Sequence, residues 1–265
     1  MSCAFTSIAE NIIELRSIGF SYGEDGGSNG RSFGEGLFFD FSLSIGRGER
    51  VAIMGASGSG KSTLGRLLTG LLRSDTGWIY RHPDLEVAHN VVYIDQSPLN
   101  SVFPWQRVEQ NIGYPLQKLG WPAEAARRRV DRLLRIFALQ DVRHSYPAHI
   151  SGGQLQRLAL ARCLSWRPRF AVLDETFSAL DQRMKEDILL DLPALLEADG
   201  TTVVLITHSA SDVRLITNRC VVLAGRPVAV VEDSPVGPAI REHDAVFDSE
   251  PVGSPELESI PHGIA

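Results

Sequence analysis

Cysteines are few in this sequence and long apolar runs are absent, which excludes several classes of protein. The three cysteines, Cys3, Cys163 and Cys220, include no Cys-x-x-Cys pair and leave an odd number, so neither a disulfide scaffold nor a zinc site is indicated. No apolar stretch reaches the roughly 18 to 20 residues that cross a bilayer, and no basic segment precedes an apolar one at the N-terminus. We therefore expect a protein of a reducing cytoplasm that neither is secreted nor crosses a membrane by itself.

An excess of charge of either sign is also missing from most of the chain. The 26 basic and 32 acidic residues give a net charge of −6, and residues 236–265, with six acids and one base, carry −5 of it. The near-neutral remainder has no broad basic field, so we expect no nucleic-acid partner. The acidic, proline-containing segment 236–265 predicts a mobile tail.

The sequence does contain short apolar patterns that predict strands. Residues 37–45 follow a glycine-rich loop at 23–36 and alternate apolar side chains, Phe39 among them, with polar ones, as a half-buried strand does. Three continuous apolar runs predict strands that are covered on both faces: residues 51–54, 170–173 and 202–206. Two further runs predict a hairpin: residues 220–223 and 228–231.

Helical spacing appears in two parts of the chain. Four leucines recur at i, i+3, i+4 and i+7 between residues 61 and 72, which predicts one buried helix face: Leu64, Leu67, Leu68 and Leu71. From about residue 104 to 165 the pattern is mostly helical, and the same spacing recurs at 130–137. We interpret the run Arg127–Arg129, just before it, as a solvated helix face.

Residues 55–62 satisfy the pattern G-x-x-x-x-G-K-[ST] between a predicted strand and a predicted helix. The glycines let backbone N–H groups curl around phosphate oxygens, and the helix N-terminus adds partial positive charge. We expect Lys61 to reach the β- and γ-phosphates and Ser62 to ligate Mg²⁺; a glycine-rich turn that caps a helix is the alternative. The expected nucleotide-binding residues here are Gly55, Ala56, Ser57, Gly58, Ser59, Gly60, Lys61, Ser62 and Thr63.

A nucleotide with Mg²⁺ needs a carboxylate near the metal and a group that activates the attacking water. The run 170–175 ends in Asp174 and Glu175, directly after a predicted buried strand. Asp174 is the candidate metal partner and Glu175 the candidate general base, because successive side chains of a strand point to opposite sides. An exposed acidic strand end is the alternative interpretation.

Residues 151–157 read Ser-Gly-Gly-Gln-Leu-Gln-Arg and resemble the signature sequence of the ATP-binding cassette (ABC) ATPases. Its serine and glutamine have the spacing of a capping box, and the two glycines leave backbone N–H groups open at a helix start, which makes an anion site. An ordinary capped helix is the alternative. The resemblance implies that four residues close on a nucleotide bound to another copy: Ser151, Gly152, Gly153 and Gln154.

Four further residues stand where this family has functional side chains, and the resemblance alone implies their roles. Tyr22 matches the aromatic that stacks on adenine, and Gln96 matches the glutamine that senses Mg²⁺ and the attacking water. Asp181 matches the acid of the loop that contacts the opposite subunit. His208 matches the histidine that touches the γ-phosphate and orients Glu175.

Residues 103–112 indicate a membrane partner. They resemble the Pro-Trp-x-x-Val-x-x-Asn stretch of ATPases that power nitrate, sulfonate and taurine importers, where it borders the groove that receives a helix of the membrane subunit. The pair Tyr146-Pro147 fits the same group, whereas residues 154–157 resemble dipeptide and nickel import ATPases, so the solute class stays open. A packed turn at 103–105 is the alternative.

Together the motifs predict an α/β fold: a P-loop (RecA-like) ABC ATPase core with a mixed sheet, residues 1–95 and 166–235, and an inserted α-helical subdomain at 96–165. The expected cofactors are ATP and Mg²⁺. We expect a second ATP-binding subunit, identical or related, to close head to tail on the first at the cytoplasmic face of the membrane. Integral membrane permease subunits, and a solute-binding protein, are the further expected partners.

Two departures from the family and two other classes of protein need to be weighed. Thr176 stands where proline is common and Asp95 where phenylalanine is frequent, but neither change removes a functional group.

The two other classes are less consistent with this sequence. A soluble ABC-type ATPase of repair or translation usually has two cassettes or long coiled-coil insertions in one chain. A P-loop kinase or GTPase would leave residues 151–154 without a purpose.

Overall fold

The computed structural model describes residues 11–22, 36–95, 97, 101–178 and 180–236. Gln96, most of the predicted glycine-rich loop and the predicted tail after Val236 lie outside the described residues. The described part contains nine strands: β1 (Asn11–Phe20), β2 (Phe38–Gly46), β3 (Arg50–Met54), β4 (Thr76–Arg81), β5 (Val91–Ile94), β6 (Phe170–Asp174), β7 (Thr202–Ile206), β8 (Arg219–Ala224) and β9 (Ala229–Pro235).

The same residues contain six α-helices and several short 3₁₀ helices. The α-helices are α1 (Lys61–Thr69), α2 (Val108–Lys118), α3 (Ala123–Ile136), α4 (Gly152–Leu164), α5 (Gln182–Asp199) and α6 (Ala210–Ile216). The 3₁₀ helices are Pro83–Leu85, Ala88–Asn90, Gln140–Val142 and Pro147–His149. None of the helices among these residues has the length and apolar character that a membrane span requires.

The larger sheet has six strands in the order β5-β6-β7-β3-β8-β9, of which β9 alone runs antiparallel to its neighbour. This mixed sheet with helices confirms the predicted α/β class. Strands β6 and β7 are buried along their whole length, as expected for parallel strands covered on both faces. The predicted hairpin is also confirmed, since β8 and β9 pair antiparallel around a turn at Gly225.

A second, antiparallel sheet has the order β2-β1-β4. The predicted strand at 37–45 is confirmed as β2, but Phe39 was wrongly placed on its buried side. Phe39 is 52% exposed, because the register against β1 shifts between Phe38 and Phe41 and Asp40 takes a positive φ of 51°. This β-bulge shifts the alternation of buried and exposed side chains along β2 by one residue.

Helix α1 packs on the larger sheet through the predicted leucine face, but the helix is shorter than predicted. It ends at Thr69, because Gly70 adopts the left-handed conformation with φ 81° and donates its N–H to the carbonyl of Leu67. Leu71 therefore lies beyond the helix and is 63% exposed. The prediction of Leu71 as a buried position was wrong, whereas Leu64, Leu67 and Leu68 are fully buried.

The helices α2, α3 and α4 lie in the interval where helical spacing was predicted. Arg127 and Arg128 are exposed as expected, but Arg129 is only 4% exposed, so its assignment to the solvated face was wrong. Its guanidinium forms a buried ion pair with Asp199 and donates to the carbonyl oxygens of Ser165 at 3.0 Å and Leu164 at 2.8 Å. These partners compensate the cost of burying the charge.

The two largest apolar cores lie on the two faces of the larger sheet. Ala171 and Leu173 of β6 belong to the core shared with α2, α3, α4 and α5. Phe170 and Val172 of the same strand belong to the core shared with α1 and the antiparallel sheet. Alternate side chains of β6 thus pack against α2, α3, α4 and α5 on one face and against α1 on the other. The carboxyl end of the strand therefore lies between these two layers.

Candidate functional site

The loop that leads from β3 into α1 depends on glycine at two points. Gly55 has φ 145°, and a Cβ there would lie 2.4 Å from the carbonyl oxygen of Leu223, so no other residue fits against β8. Gly60 occupies the N-cap of α1 in the left-handed conformation, with φ 83°. The loop therefore brings its backbone onto the N-terminus of α1, the arrangement that binds phosphate.

Lys61 lies over this loop and is only 7% exposed. Its Nζ donates to the carbonyl oxygens of Gly55 and Ala56, both at 2.8 Å. Burial lowers the pKa of Lys61, and the negative charges of Glu175 and Asp174 oppose that shift. The ammonium group is thus held at the start of the loop, within the field of the two carboxylates.

The two candidate carboxylates lie at the carboxyl end of β6, next to β7. Asp174 is buried and accepts a hydrogen bond of 2.5 Å from the hydroxyl of Tyr93 on β5. Glu175 takes a positive φ of 49°, and its N–H donates to the carbonyl of Ile206 at 2.9 Å. The carboxylate of Asp174 thus contacts β5 on one side, while the backbone of Glu175 is held by β7 on the other.

His208 follows β7 and lies beside Glu175, with Nδ1 3.9 Å from Oε1 of the glutamate. The imidazole is 70% exposed, so it faces the solvent side of the site. Both predicted residues are thus brought together by the pairing of β6 with β7.

A buried polar network holds the segment that carries His208. Asp212 of α6 accepts from Lys185 of α5 at 2.6 Å, from Ser209 at 2.9 Å and from Thr207 at 3.2 Å. The side chains of the charged pair are 10% and 2% exposed. The network joins α5, α6 and the end of β7, and it includes Thr207 and Ser209, the residues on either side of His208.

A cleft of about 980 Å³ opens beside the loop and is lined by Lys61, Ser62, Thr63 and Glu175. Tyr22 also lines this cleft, is 59% exposed and shares a hydrogen bond of 2.9 Å with the hydroxyl of Thr63. The expected aromatic therefore lies next to the phosphate loop.

The signature residues lie elsewhere on the chain and do not line this cleft within its described part. Ser151 caps α4, accepting from the N–H of Gln154 at 3.2 Å, and Gln154 Oε1 accepts from the N–H of Ser151 at 2.9 Å. The predicted capping box is therefore confirmed. Asp181 caps α5 in a similar way by accepting from the N–H of Met184 at 3.0 Å.

Sequence reasoning missed Tyr93, Lys185 and Asp212. Tyr93 was given no role, although a largely buried hydroxyl needs a hydrogen-bond partner. Asp212 carried a weak signal, because an acid three residues after Ser209 has the spacing of a helix cap. Lys185 had no local signal, since its partner lies on another helix.

The donor set at the loop fits Mg²⁺ that arrives with a nucleotide. No group of three or more His, Cys, Asp or Glu side chains among the described residues could hold a metal ion by itself. Mg²⁺ is commonly bound through one or two carboxylates together with substrate phosphates and waters. The Asp174 carboxylate and the Ser62 hydroxyl are of the kind that could supply such a partial shell, whereas Gln96, the third predicted metal residue, lies outside the described residues.

The fold and the arrangement of Lys61, Asp174 and Glu175 define the class of P-loop proteins. Residues 38–178, more than half of the chain, match the family model described as ABC transporter. The chain belongs to this family.

The relatives include import ATP-binding proteins of bacteria. The chain is 35% identical over 218 residues to the spermidine/putrescine import ATP-binding protein PotA of Pasteurella multocida, covering 80% of this chain and 55% of the relative. It is 38% identical over 200 residues to the methionine import ATP-binding protein MetN 2 of Rhodococcus jostii, covering 70% and 57%. The chain thus spans little more than half the length of the curated relatives it matches.

A solved structure extends the comparison to the fold. The ATP-binding cassette MJ0796, solved as a dimer in a post-hydrolysis state with ADP and Pi, matches with a TM-score of 0.69 and 26% identity. The match covers 85% of this chain and 99% of that one. The P-loop ABC fold expected from the sequence is confirmed.

Proposed function

We propose that this protein is the ATP-hydrolysing subunit of an ABC transporter that imports a small solute. The observation that carries the proposal is the meeting of Lys61, Asp174, Glu175 and His208 at one edge of the larger sheet. These four side chains supply a cation for the phosphates, a carboxylate for a metal and a base next to a histidine. The polyamine and methionine importers among the relatives support a small solute.

The chain's own residues would carry out the chemistry at this edge. The loop N–H groups and Lys61 bind the β- and γ-phosphates, and Ser62 and Asp174 hold Mg²⁺, which when bound neutralises phosphate charge. Glu175 accepts a proton from the attacking water, and His208 orients Glu175 and contacts the γ-phosphate. Gln96 is assigned to the same water. We propose that Tyr22 stacks on adenine.

We propose that a second cassette, a copy or a related subunit, completes each nucleotide site. The capped N-terminus of α4 supports this, because Ser151, Gly152 and Gly153 present an anion site that does not face the cleft of their own chain. Asp181, at the start of α5, would contact the same partner. Closure on two ATP molecules and release after hydrolysis would switch the membrane subunits between two states.

The aromatic segment 103–105 is proposed to lie beside the groove for the permease. Phe103 stacks on Trp105 with ring centroids 5.2 Å apart, and Trp105 is 69% exposed. Asn111 is fully buried and exchanges hydrogen bonds of 2.7 and 3.0 Å with the backbone of Phe103. A rigid turn thus presents an indole ring to solvent, which suits an interface. A solute-binding protein would be the external partner.

We also propose the division of the chain into two units. Residues 1–95 and 166–235 would form the P-loop core, and residues 96–165 the helical unit that carries the signature. The helices α2, α3 and α4 support this division, since all three fall inside the second range. Residues 236–265 are proposed as a flexible acidic tail outside both units. The expected location is the cytoplasmic face of the membrane.

The test is Glu175→Gln, which removes the base and keeps the size of the side chain. Turnover should fall at least about 100-fold, the usual contribution of a general base, while ATP binding remains and a stable ATP-bound dimer accumulates. Hydrolysis is measured as phosphate release and dimerisation as molar mass in solution. Glu197→Gln, on the exposed face of α5, is the matched control and should behave as the wild type.

Purification of the same variant from gently solubilised source cells tests the transport assignment. A polytopic membrane protein should accompany it in stoichiometric yield. Wild-type hydrolysis by Glu175→Gln would refute the assignment of the base. Recovery of soluble partners alone would refute transport and favour a soluble ABC-type ATPase.

A further inference from the structure

Tyr93 and Asp174 are placed side by side by the register of the larger sheet. Strands β5 and β6 run parallel, and Tyr93 pairs with Val172. Asp174 lies two residues after Val172 and therefore projects from the same face of the sheet. The tyrosine side chain is long enough to reach diagonally to the end of the neighbouring strand, where its hydroxyl donates to Oδ2 of Asp174 at 2.5 Å.

The ring of Tyr93 is held in place by the helix above it. A Cβ at Gly65 of α1 would lie 3.1 Å from Cε2 of Tyr93 and 3.0 Å from Cγ1 of Val172. The glycine thus lets the helix backbone close directly over the ring. Because α1 begins at Lys61, the same helix fixes both the tyrosine and the end of the phosphate loop.

The chemistry of the two groups sets the direction of the hydrogen bond between Tyr93 and Asp174. A carboxylate oxygen only accepts, so the hydroxyl of Tyr93 donates its single proton to Oδ2. Asp174 is only 7% exposed, so this donor satisfies an oxygen that water reaches poorly. The phenol thus fixes one of the two oxygens of Asp174 from the side of β5.

We propose that Tyr93 is a positioning residue for the metal of the nucleotide site. Its hydroxyl holds Oδ2 of Asp174, so that the carboxylate would be kept in one orientation toward a bound Mg²⁺. The inference rests on the proposed function and adds a residue that acts through Asp174. Partners that orient a metal-binding carboxylate commonly contribute 10- to 100-fold to metal affinity.

The experiment measures ADP affinity of the full-length chain with Mg²⁺ and with EDTA, for the wild type and for Tyr93→Phe. This substitution removes one oxygen and keeps the ring under Gly65. Affinity with Mg²⁺ should fall about tenfold, while affinity in EDTA stays within about twofold, since phosphate contacts of the loop are untouched. In an Asp174→Ala background the same substitution should have no further effect. Tyr80→Phe, a half-buried tyrosine of β4, is the control for loss of a phenol.

Each other outcome has a defined meaning. Equal loss of affinity with and without Mg²⁺ would mean that Tyr93 only supports the loop, and unchanged affinity in both conditions would mean that the hydroxyl does not position Asp174; both overturn the inference. A wild type that binds ADP in neither condition would refute the proposed function itself, whereas a wild type whose ADP affinity ignores Mg²⁺ would overturn the inference alone. Binding rather than turnover is measured, so a defect in Glu175 chemistry cannot imitate the result.

Discussion

Arg129 is an arginine whose charge the fold buries and compensates. Burial lowers the pKa of its guanidinium, and Asp199 opposes that shift. Arg167 also contacts Asp199, at 3.2 Å, so the carboxylate has two cationic neighbours. Arg128, the preceding residue, instead forms an exposed pair with Glu124. Two adjacent residues of one type therefore provide a buried and an exposed example of the same interaction.

Arg129→Met should lower the free energy of unfolding by about 3 kcal/mol, because it removes the donor to the carbonyl of Ser165 and one of the two donors to that of Leu164, and weakens the pairing of Asp199. Arg128→Met should change the free energy by less than about 0.5 kcal/mol, since exposed pairs contribute little. Urea unfolding followed by circular dichroism measures both. Equal effects of the two substitutions would contradict the assignment of Arg129 to the core.

Residues fixed by local chemistry were the ones that the sequence could predict. The loop at 55–62, the pair Asp174 and Glu175, and the capping box at Ser151 depend on neighbours within a few residues, and each lies where its pattern indicated. Tyr93 could not be assigned, because its partner lies 81 residues away. Arg129 was assigned wrongly for the same reason, since Asp199 lies 70 residues away.

Among the strands, β1 and β4 pair closely around a glycine. Gly77 has φ 72°, and a Cβ there would lie 2.3 Å from the carbonyl oxygen of Ser17 and 2.6 Å from that of Arg16. Gly48, in the turn between β2 and β3, has nearly the same φ of 75° but has no atom within 4 Å of its Cβ position. Gly48 is therefore required only for its backbone conformation, whereas at Gly77 there is also no space for a side chain.

Gly77→Ala should destabilise the protein by at least about 2 kcal/mol more than Gly48→Ala. Both substitutions put alanine in the left-handed conformation, but only the Cβ at position 77 also collides with backbone. The loss should be local to the antiparallel sheet. Amide hydrogen exchange should therefore show reduced protection at Thr76–Arg81, the edge strand that must move. Equal protection of these amides in both variants would show that the sheet absorbs the collision elsewhere.

Assembly of two cassettes can be tested where the signature helix begins. A Cβ at Gly152 meets no atom within 4 Å, and Gly152 is exposed, so Gly152→Arg should leave the stability and ADP affinity of the monomer unchanged. In the Glu175→Gln background it should abolish the ATP-dependent dimer, because the side chain fills the space proposed for the partner's nucleotide. Sedimentation velocity measures the dimer, and Gln117→Arg on α2 is the control for added size and charge. A dimer that persists with Gly152→Arg would place the interface elsewhere.

The strand order of the larger sheet governs how the chain can acquire its phosphate loop during synthesis. Strand β3, which leads into that loop, pairs only with β7 and β8 in the described part of the chain. The N–H of Gly48 and the hydroxyl of Thr202, which join across this pairing, are 154 residues apart. A ribosome must therefore pass residue 202 before β3 finds a neighbour in this sheet, and long-range pairing of this kind is slow to form. Nascent chains that end before β7 would carry the complete loop sequence without the strands that shape it, so nucleotide cannot stabilise the fold until β7 and β8 have been made.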